Sequence, residues 1–404
     1  MKGLKIFFLG LLLLQSCGKD SFPRIYRSDV LDGRSHSRDS LGDGSGNRQA
    51  DTSVFVSAVI VPADYDWRRD SSYGAVACEI QLLRNGRPQF TAPAGIHTPI
   101  SISPDSHHLL GGHLYTESNG PDGTVICRDG EECLSWPEPE ILKGLFIKRG
   151  DIYTLGRRLD GSGFSFRQNG DLILSQEGTV FGDFSNPAYG RTGALYENDE
   201  DLCFCFRTST GAYGVRDGVL ETIRTSVRVG RIRDMRLIGP SCYYTADYSS
   251  AMLIFSPART ITLPTTDTWL SAGLFMHGDI PWFMADSRSK TICKPVDQAD
   301  DSAAAVQFPG YDNFIYRGSP DLYALNSEGG TLRIRNADGE LIYIRDSTFF
   351  FGPGSACCSG NEIYALINPR EREEQPFIWH DGKETACGIN GYLTGIEVEI
   401  SPPR

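Results

Sequence analysis

Three stretches of this 404-residue chain concentrate side chains able to bind or react. The first, VPADYDWRRDSSYG at 61–74, sets Tyr65 and Trp67 among Asp64, Asp66 and Asp70. Aromatic faces flanked by carboxylate acceptors suit a sugar ring or an extended peptide. The second, SPDSHHLLGGHLY at 103–115, holds His107, His108 and His113, with His97 nearby. Imidazole is the commonest neutral nitrogen ligand of metals. Yet His107 and His108 are adjacent and point to opposite faces of any strand, and no acidic residue stands at a fixed spacing from them. No metal is therefore expected. The third stretch, VRVGRIRDMR at 227–236, strings together Arg228, Arg231, Arg233 and Arg236, a cationic set that would attract carboxylates, sulfates or phosphates. Tyr65, Asp66, Trp67, Arg231 and Arg233 are the candidate ligand-binding residues. Each stretch also has a plainer reading: a solvated loop, strand and turn histidines, and arginines paired with acids of neighbouring units.

Signatures of catalysis are missing from the sequence. There is no Gly-x-Ser-x-Gly elbow, phosphate loop or dinucleotide fingerprint. Of the sialidase boxes, TTDTWLSAG at 265–273 shares only fragments. Asp and Glu are too plentiful for a glycoside-hydrolysing pair to be located by spacing. No cofactor is expected. A formal charge of −12 argues against nucleic acid or an anionic membrane surface as partner.

The elements that carry these residues begin after an N-terminal leader. Lys2 and Lys5 precede an apolar run from Ile6 to Leu14, too short to span a membrane as a helix. Leu14-Gln15-Ser16-Cys17 then resembles the lipobox of bacterial lipoproteins. That resemblance implies a signal peptide over 1–16, cleavage before Cys17 and acylation of Cys17 with chains such as palmitate. Gly18, not Asp, follows Cys17, which favours the outer membrane, on its periplasmic or cell-surface face. Residues 18 to 52 are rich in Ser, Asp, Arg and Gly and lack apolar periodicity. With Cys17 they form a lipidated tether, 17–52, spanning roughly 30–35 Å as a flexible coil.

Residues 53–404 carry a repeat. An aliphatic-then-aromatic strand recurs, anchored at Phe55, Tyr115, Tyr153, Cys203, Tyr243, Trp282, Tyr323 and Tyr364, with steps of 60, 38, 50, 40, 39, 41 and 41. In most copies a turn such as RNGRPQF (84–90), RDGEECL (128–134), QNGDLIL (168–174), RDGVLET (216–222), NADGELIYI (336–344) or HDGKETA (380–386) follows the anchor. Asn-Gly and Asp-Gly suit the two positive φ angles of a type I′ hairpin turn. A period near 40 built from several short strands predicts an all-β fold, a single β-propeller of four-stranded blades. Eight anchors predict eight blades, or seven if one copy is misread. Each anchor then lies on the second strand, and each turn joins third to fourth. Gly144, Gly193, Gly273, Gly354 and Ala356 are the small residues that a crowded innermost strand needs. The first copy lacks an innermost strand, so GYLTGIEVEI at 391–400 is expected to supply it and close the ring by pairing the two ends of the chain. Of eleven cysteines, Cys203 and Cys205 alternate on one strand face, Cys357 and Cys358 face opposite ways, and Cys127 and Cys133 flank a turn and are placed to pair across it.

These aliphatic-Tyr strands and polar-Asn-Gly turns resemble the repeats of uncharacterised Bacteroidetes outer-membrane lipoproteins. The resemblance implies fold and location and carries over no catalytic residue. The function expected is binding of a glycan, peptide or protein partner without catalysis. The alternative is a glycan-active hydrolase or lyase with its site at the mouth of the channel.

Overall fold

The computed structural model describes residues 51–401 except 69–74, 98–106, 121, 182–193, 199, 249–250, 264–268, 278–279, 298–304, 311–312, 319–320 and 350–352. Cys17, Asp70 and Gly193 lie outside the described residues, and so does the side chain of His97.

Eight antiparallel sheets form the blades of a propeller. From the channel outward, blade 1 is Gly391–Ser401, Asp51–Ile60, Val76–Arg84 and Arg87–His97, so the last strand of the chain is the innermost strand of the first blade. The two ends pair from Asp51 opposite Ser401 to Ile60 opposite Gly391. Blade 2 is His107–Leu110, His113–Gly120, Gly123–Arg128 and Glu131–Trp136. Blade 3 is Glu140–Lys148, Asp151–Arg158, Gly163–Gln168 and Asp171–Glu177. Blade 4 has a split inner strand, Thr179–Val180 and Tyr196–Asn198, then Asp201–Arg207, Ala212–Arg216 and Val219–Ile223. Blade 5 is Ile232–Ile238, Ser241–Tyr248, Ala251–Phe255 and Thr260–Thr262. Blade 6 is Trp269–His277, Ile280–Ser287, Lys290–Pro295 and Val306–Pro309. Blade 7 is Phe314–Arg317, Leu322–Glu328, Thr331–Arg335 and Leu341–Arg345. Blade 8 again splits its inner strand, into Thr348–Phe349 and Ala356–Ser359, before Glu362–Pro369, Phe377–His380 and Lys383–Ala386.

Because strands alternate in direction, the disc has two unlike faces. Inner-to-second and third-to-outer connections lie on one, here the turn face. Second-to-third and blade-to-blade connections lie on the other, the loop face. The Asn-Gly and Asp-Gly pairs that join third to outer strands are on the turn face, and the side chain explains the choice of residue. Asn85, Asp129, Asn169 and Asp217 take φ between 43° and 51°, followed by a glycine between 75° and 89°. Each Oδ1 accepts the N–H of its blade's second strand, from Val54, Leu114, Ile152 and Leu202 at 2.7–2.9 Å. Each turn N–H returns to the carbonyl of that same residue. Glycine alone would fit the backbone but lose this clasp. Asp338-Gly339 departs from the expected type I′ turn. Only Gly339 has positive φ, and the loop is closed instead by Asn336, whose N–H donates to Glu340 O and whose Oδ1 accepts Glu340 N–H.

The core lies between blades. Phe164 and Phe166 of blade 3 meet Phe206 and Phe204 of blade 4 with ring centroids 4.8 and 5.2 Å apart. Cys357 and Cys358 fall into different clusters, one toward blade 1 and one toward blade 7. Cys203 and Cys205 share one. Cys127 and Cys133, whose places beside the turn would allow a disulfide, are both free thiols. A register shift sets Cys127 opposite Glu132, and the Cys133 thiol lies 3.3 Å from Ile126 O.

An inner strand has a sheet neighbour on one side only, so half its backbone groups need other partners. Side chains of the preceding blade supply several. Glu397 accepts from Gly111 and Gly112, Glu117 from Leu142, Tyr196 from Leu237, Asp234 from Leu274 and Asn368 from Leu393, at 2.7–3.3 Å. These reach from blades 1, 2, 4, 5 and 8 to the next blade in order. Gly144 is small for the same crowding: a Cβ there would sit 3.0 Å from Leu195 Cβ in blade 4.

Candidate functional site

Both expected ligand-binding segments lie on the loop face. Residues 61–68 leave the end of Asp51–Ile60, beside the start of the inner strand, and Arg231 precedes the inner strand of blade 5. In ring order blades 1 and 5 are opposite. The two segments have nonetheless been used differently.

At the junction of blades 8 and 1, Trp67 is 1% exposed. Its ring packs against Phe349 at 5.4 Å and Tyr392 at 5.2 Å, and the Arg68 guanidinium lies 4.7 Å from its centroid. The stacking role expected for Trp67 is therefore corrected, because no face of the indole is open to a ligand. Arg68 fixes the loop by donating to Pro369 O at 3.1 Å and Glu374 O at 2.5 Å. Tyr65 and Asp66 are half-buried, and Asp66 accepts the N–H of Arg68 and faces Arg372 at 4.0 Å. Asn390 ties the loop to the closing strand through Pro62 O and Val61 O. The segment is a seal over the seam where the ring closes.

At the junction of blades 4 and 5, Arg228, Arg231 and Arg233 are exposed. Arg231 ends the 3-10 turn Val229–Arg231, and Arg233 sits where the register of the inner strand shifts between Ile232 and Asp234. Arg233 pairs with Asp247, its Nε donating at 2.6 Å. Arg207, at the end of the second strand of blade 4, donates to Ile232 O at 2.8 Å. Burial lowers the pKa of Arg207, and the neighbouring Arg233 guanidinium lowers it further. Tyr248 is 55% exposed, with the Arg231 guanidinium 5.7 Å from its ring centroid. Arg236, in contrast, is buried over the Tyr196 ring at 4.4 Å and belongs to the core. Arg207 and Tyr248 are residues that the sequence reading missed. Both end second strands, and the ends of second strands lie on the loop face in every repeat.

The histidines disperse. His107 faces blade 1, its Nε2 2.8 Å from Thr394 Oγ1, while His108 faces blade 3 beside Lys143. His113 lies at the turn face against Asp129. Burial lowers the pKa of His107 to about 4 and, with His107 and Lys143 adding, that of His108 to about 3. Among the described residues no group of His, Cys, Asp or Glu is arranged to hold a metal ion. Buried carboxylates are engaged in structure. Glu140 pairs with Arg167 at 3.0 Å, Asp234 binds backbone N–H groups in two blades, and Glu117 binds Leu142 N–H. Burial raises the pKa of Glu117 to about 7 and also raises that of Asp234.

No protein-family model matches the chain, and no curated protein matches it. Solved structures do. Apo AztD from Citrobacter koseri is 11% identical with a TM-score of 0.48, covering 88% of this chain and 100% of its own. The dihydro-heme d1 dehydrogenase NirN in complex with DHE is 10% identical with a TM-score of 0.49, covering 85% and 74%. BamB from Moraxella catarrhalis is 9% identical with a TM-score of 0.41, covering 76% and 94%. At such identities the likeness concerns the fold alone: the neighbours are β-propellers, as this chain is.

Proposed function

We propose that this chain is a lipid-anchored envelope protein whose propeller binds an anionic glycan, peptide or protein segment at the blade 4–5 junction, without catalysis. One observation carries the reading: at the loop face Arg231 lies over the exposed ring of Tyr248, in a run of exposed arginines with Arg228 and the Asp247-paired Arg233. This run of guanidinium groups attracts an anion and can offer it charge-assisted hydrogen bonds. The open face of Tyr248 offers a stacking surface of the kind that Trp67 does not. A hydrolase or lyase reading draws on Glu117, whose raised pKa keeps part of its population protonated at neutral pH. The Leu142 N–H on that carboxyl group favours a structural role for it instead.

Screening the purified protein against acidic glycans and peptides tests the proposal, with product analysis of every hit. Arg231→Ala and Arg233→Ala should each weaken a true hit by about 1.5–3 kcal/mol while leaving thermal unfolding unchanged. The wild-type interaction should weaken with added salt. Hits that bind the two variants as tightly as the wild type would sink the assignment, and products released from a hit would favour the enzyme.

A further inference from the structure

The described chain begins at the turn face. Asp51 pairs with Ser401 at the far end of the inner strand, on the side opposite residues 61–68 and Arg231. Any tether to the lipidated N-terminus proposed above therefore starts near the centre of the turn face. Turning the loop face toward a bilayer would require that tether to cross the blade and climb the disc. The inner strand alone, at about 3.3 Å per residue, sets a height of roughly 30–35 Å. Crossing and climbing together exceed the roughly 30–35 Å that a flexible coil of the expected tether's length would span at rest, so that arrangement would need the coil stretched.

The distribution of exposed apolar side chains agrees with this polarity. The outer strands of blades 3, 4 and 7 each carry two exposed aliphatic residues close after the turn: Leu172 and Ile173 following Asp171, Val219 and Leu220, Leu341 and Ile342. Blades 3 and 4 are adjacent, and Ile173 Cγ2 approaches Gly218 so closely that a Cβ there would lie 2.7 Å from it. The outer strands of blades 3 and 4 thus bring their exposed aliphatic residues to neighbouring places on the perimeter, and blade 7 presents a second pair across the ring. Toward the loop face lie Leu159, Tyr248 and, near the far end of the outer strand of blade 7, Ile344. Elsewhere, outer strands are guarded by charge or proline, as in Arg87-Pro88, Glu131-Glu132 and Lys383-Glu384.

We infer that the turn face rests on the lipid surface, with these aliphatic side chains at the interface and the arginine site of the loop face directed away from the membrane. The inference depends on the lipid-anchor reading. The overall negative charge of the chain makes a zwitterionic surface the suitable one.

Hydrogen exchange of the full-length acylated protein on phosphatidylcholine vesicles tests it, with Cys17→Ala as the unanchored reference. The acylated protein should sediment with the vesicles and the reference should not. Amides of 170–176 and 217–223 should then exchange several-fold more slowly in the anchored protein, with 225–233 unchanged. Leu172→Glu combined with Val219→Glu, both at exposed positions, should abolish the slowing while sedimentation persists. Slowing at 225–233, or equal exchange on both faces of a protein that does sediment, overturns the orientation and leaves the anchor standing. If the acylated protein stays in solution, or the reference sediments equally, both ideas fall.

Discussion

Two junctions on the loop face carry the same pair of residue types. At the blade 8–1 junction Arg68 lies over Trp67, and at the blade 4–5 junction Arg231 lies over Tyr248. The first aromatic is 1% exposed and the second 55%. The difference lies in what covers each ring, since the backbone is continuous at both junctions, through residues 224–231 and through residues 387–390. Trp67 sits on the long connection after Asp51–Ile60, which folds back over the ends of blades 8 and 1 and packs the indole against Phe349 and Tyr392. Tyr248 ends a strand, and no such connection lies over more than half of its surface. An aromatic residue beside an arginine is thus a plug where a long loop folds it back between two blades, and it remains available to a ligand where it ends a strand.

The severest way to break this contrast is to remove residues 391–404. Blade 1 would lose its inner strand and Asn368 its partner Leu393, leaving an open sheet edge. Aggregation or loss of a cooperative thermal transition is expected. A truncated chain that melts like the full one would refute closure as the source of stability. Next in size, Trp67→Ala should destabilise by about 3–5 kcal/mol, as for other buried large-to-small changes. Tyr248→Ala should change stability by no more than about 0.5 kcal/mol. Chemical denaturation of the pair measures both, and equal losses would erase the distinction between plug and open aromatic.

A subtler test uses pH. His107 and His108 are buried with pKa values below the ordinary 6.5. As pH falls below 6.5, the unfolded chain gains protons that the folded ring refuses, so their contribution to stability declines until pH about 4 to 3 is passed. Glu117 acts in the opposite sense. Its folded pKa of about 7 lies above the unfolded 4.5, so it disfavours the folded state progressively as pH rises between the two. Melting temperature followed against pH should show a shallower acid limb for His108→Leu and a smaller loss between pH 4.5 and 7 for Glu117→Gln. Parallel curves for wild type and variants would show that neither group is linked to folding. A modest effect is expected at a turn. Asn169→Ala removes the clasp to Ile152 N–H and places alanine at φ 51°, for about 1–2 kcal/mol.

The parts of the molecule legible in its sequence are those that repeat. The anchors fell on second strands, the Asn-Gly and Asp-Gly turns joined third to outer strands, and the spare strand at 391–400 completed blade 1, because each signal is local and occurs many times. Trp67 was misread because its burial depends on Phe349 and Tyr392, far along the chain, and no local pattern reports that meeting. Asp338-Gly339 was misread because Asn336 offers a competing hydrogen-bonding side chain two residues earlier. Arg207 and Tyr248 were legible in principle. Aligning the last residue of every second strand places both at one register position, and only the structure shows that Arg207 reaches Ile232 O and that Tyr248 lies under Arg231.

The strand that opens blade 1 must wait for the strand that closes it. Ser57 bonds Thr394 across a sequence separation of 337 residues, so the first blade cannot be finished until every other blade has been threaded. Such distant pairing makes for slow folding, and until it forms the chain is an arc with an exposed edge at each end. Opening of the native ring should begin at the same place, since every other blade draws its strands from a continuous stretch of chain. The life of the molecule, from first collapse to final unravelling, is accordingly timed by a single pairing between its two ends.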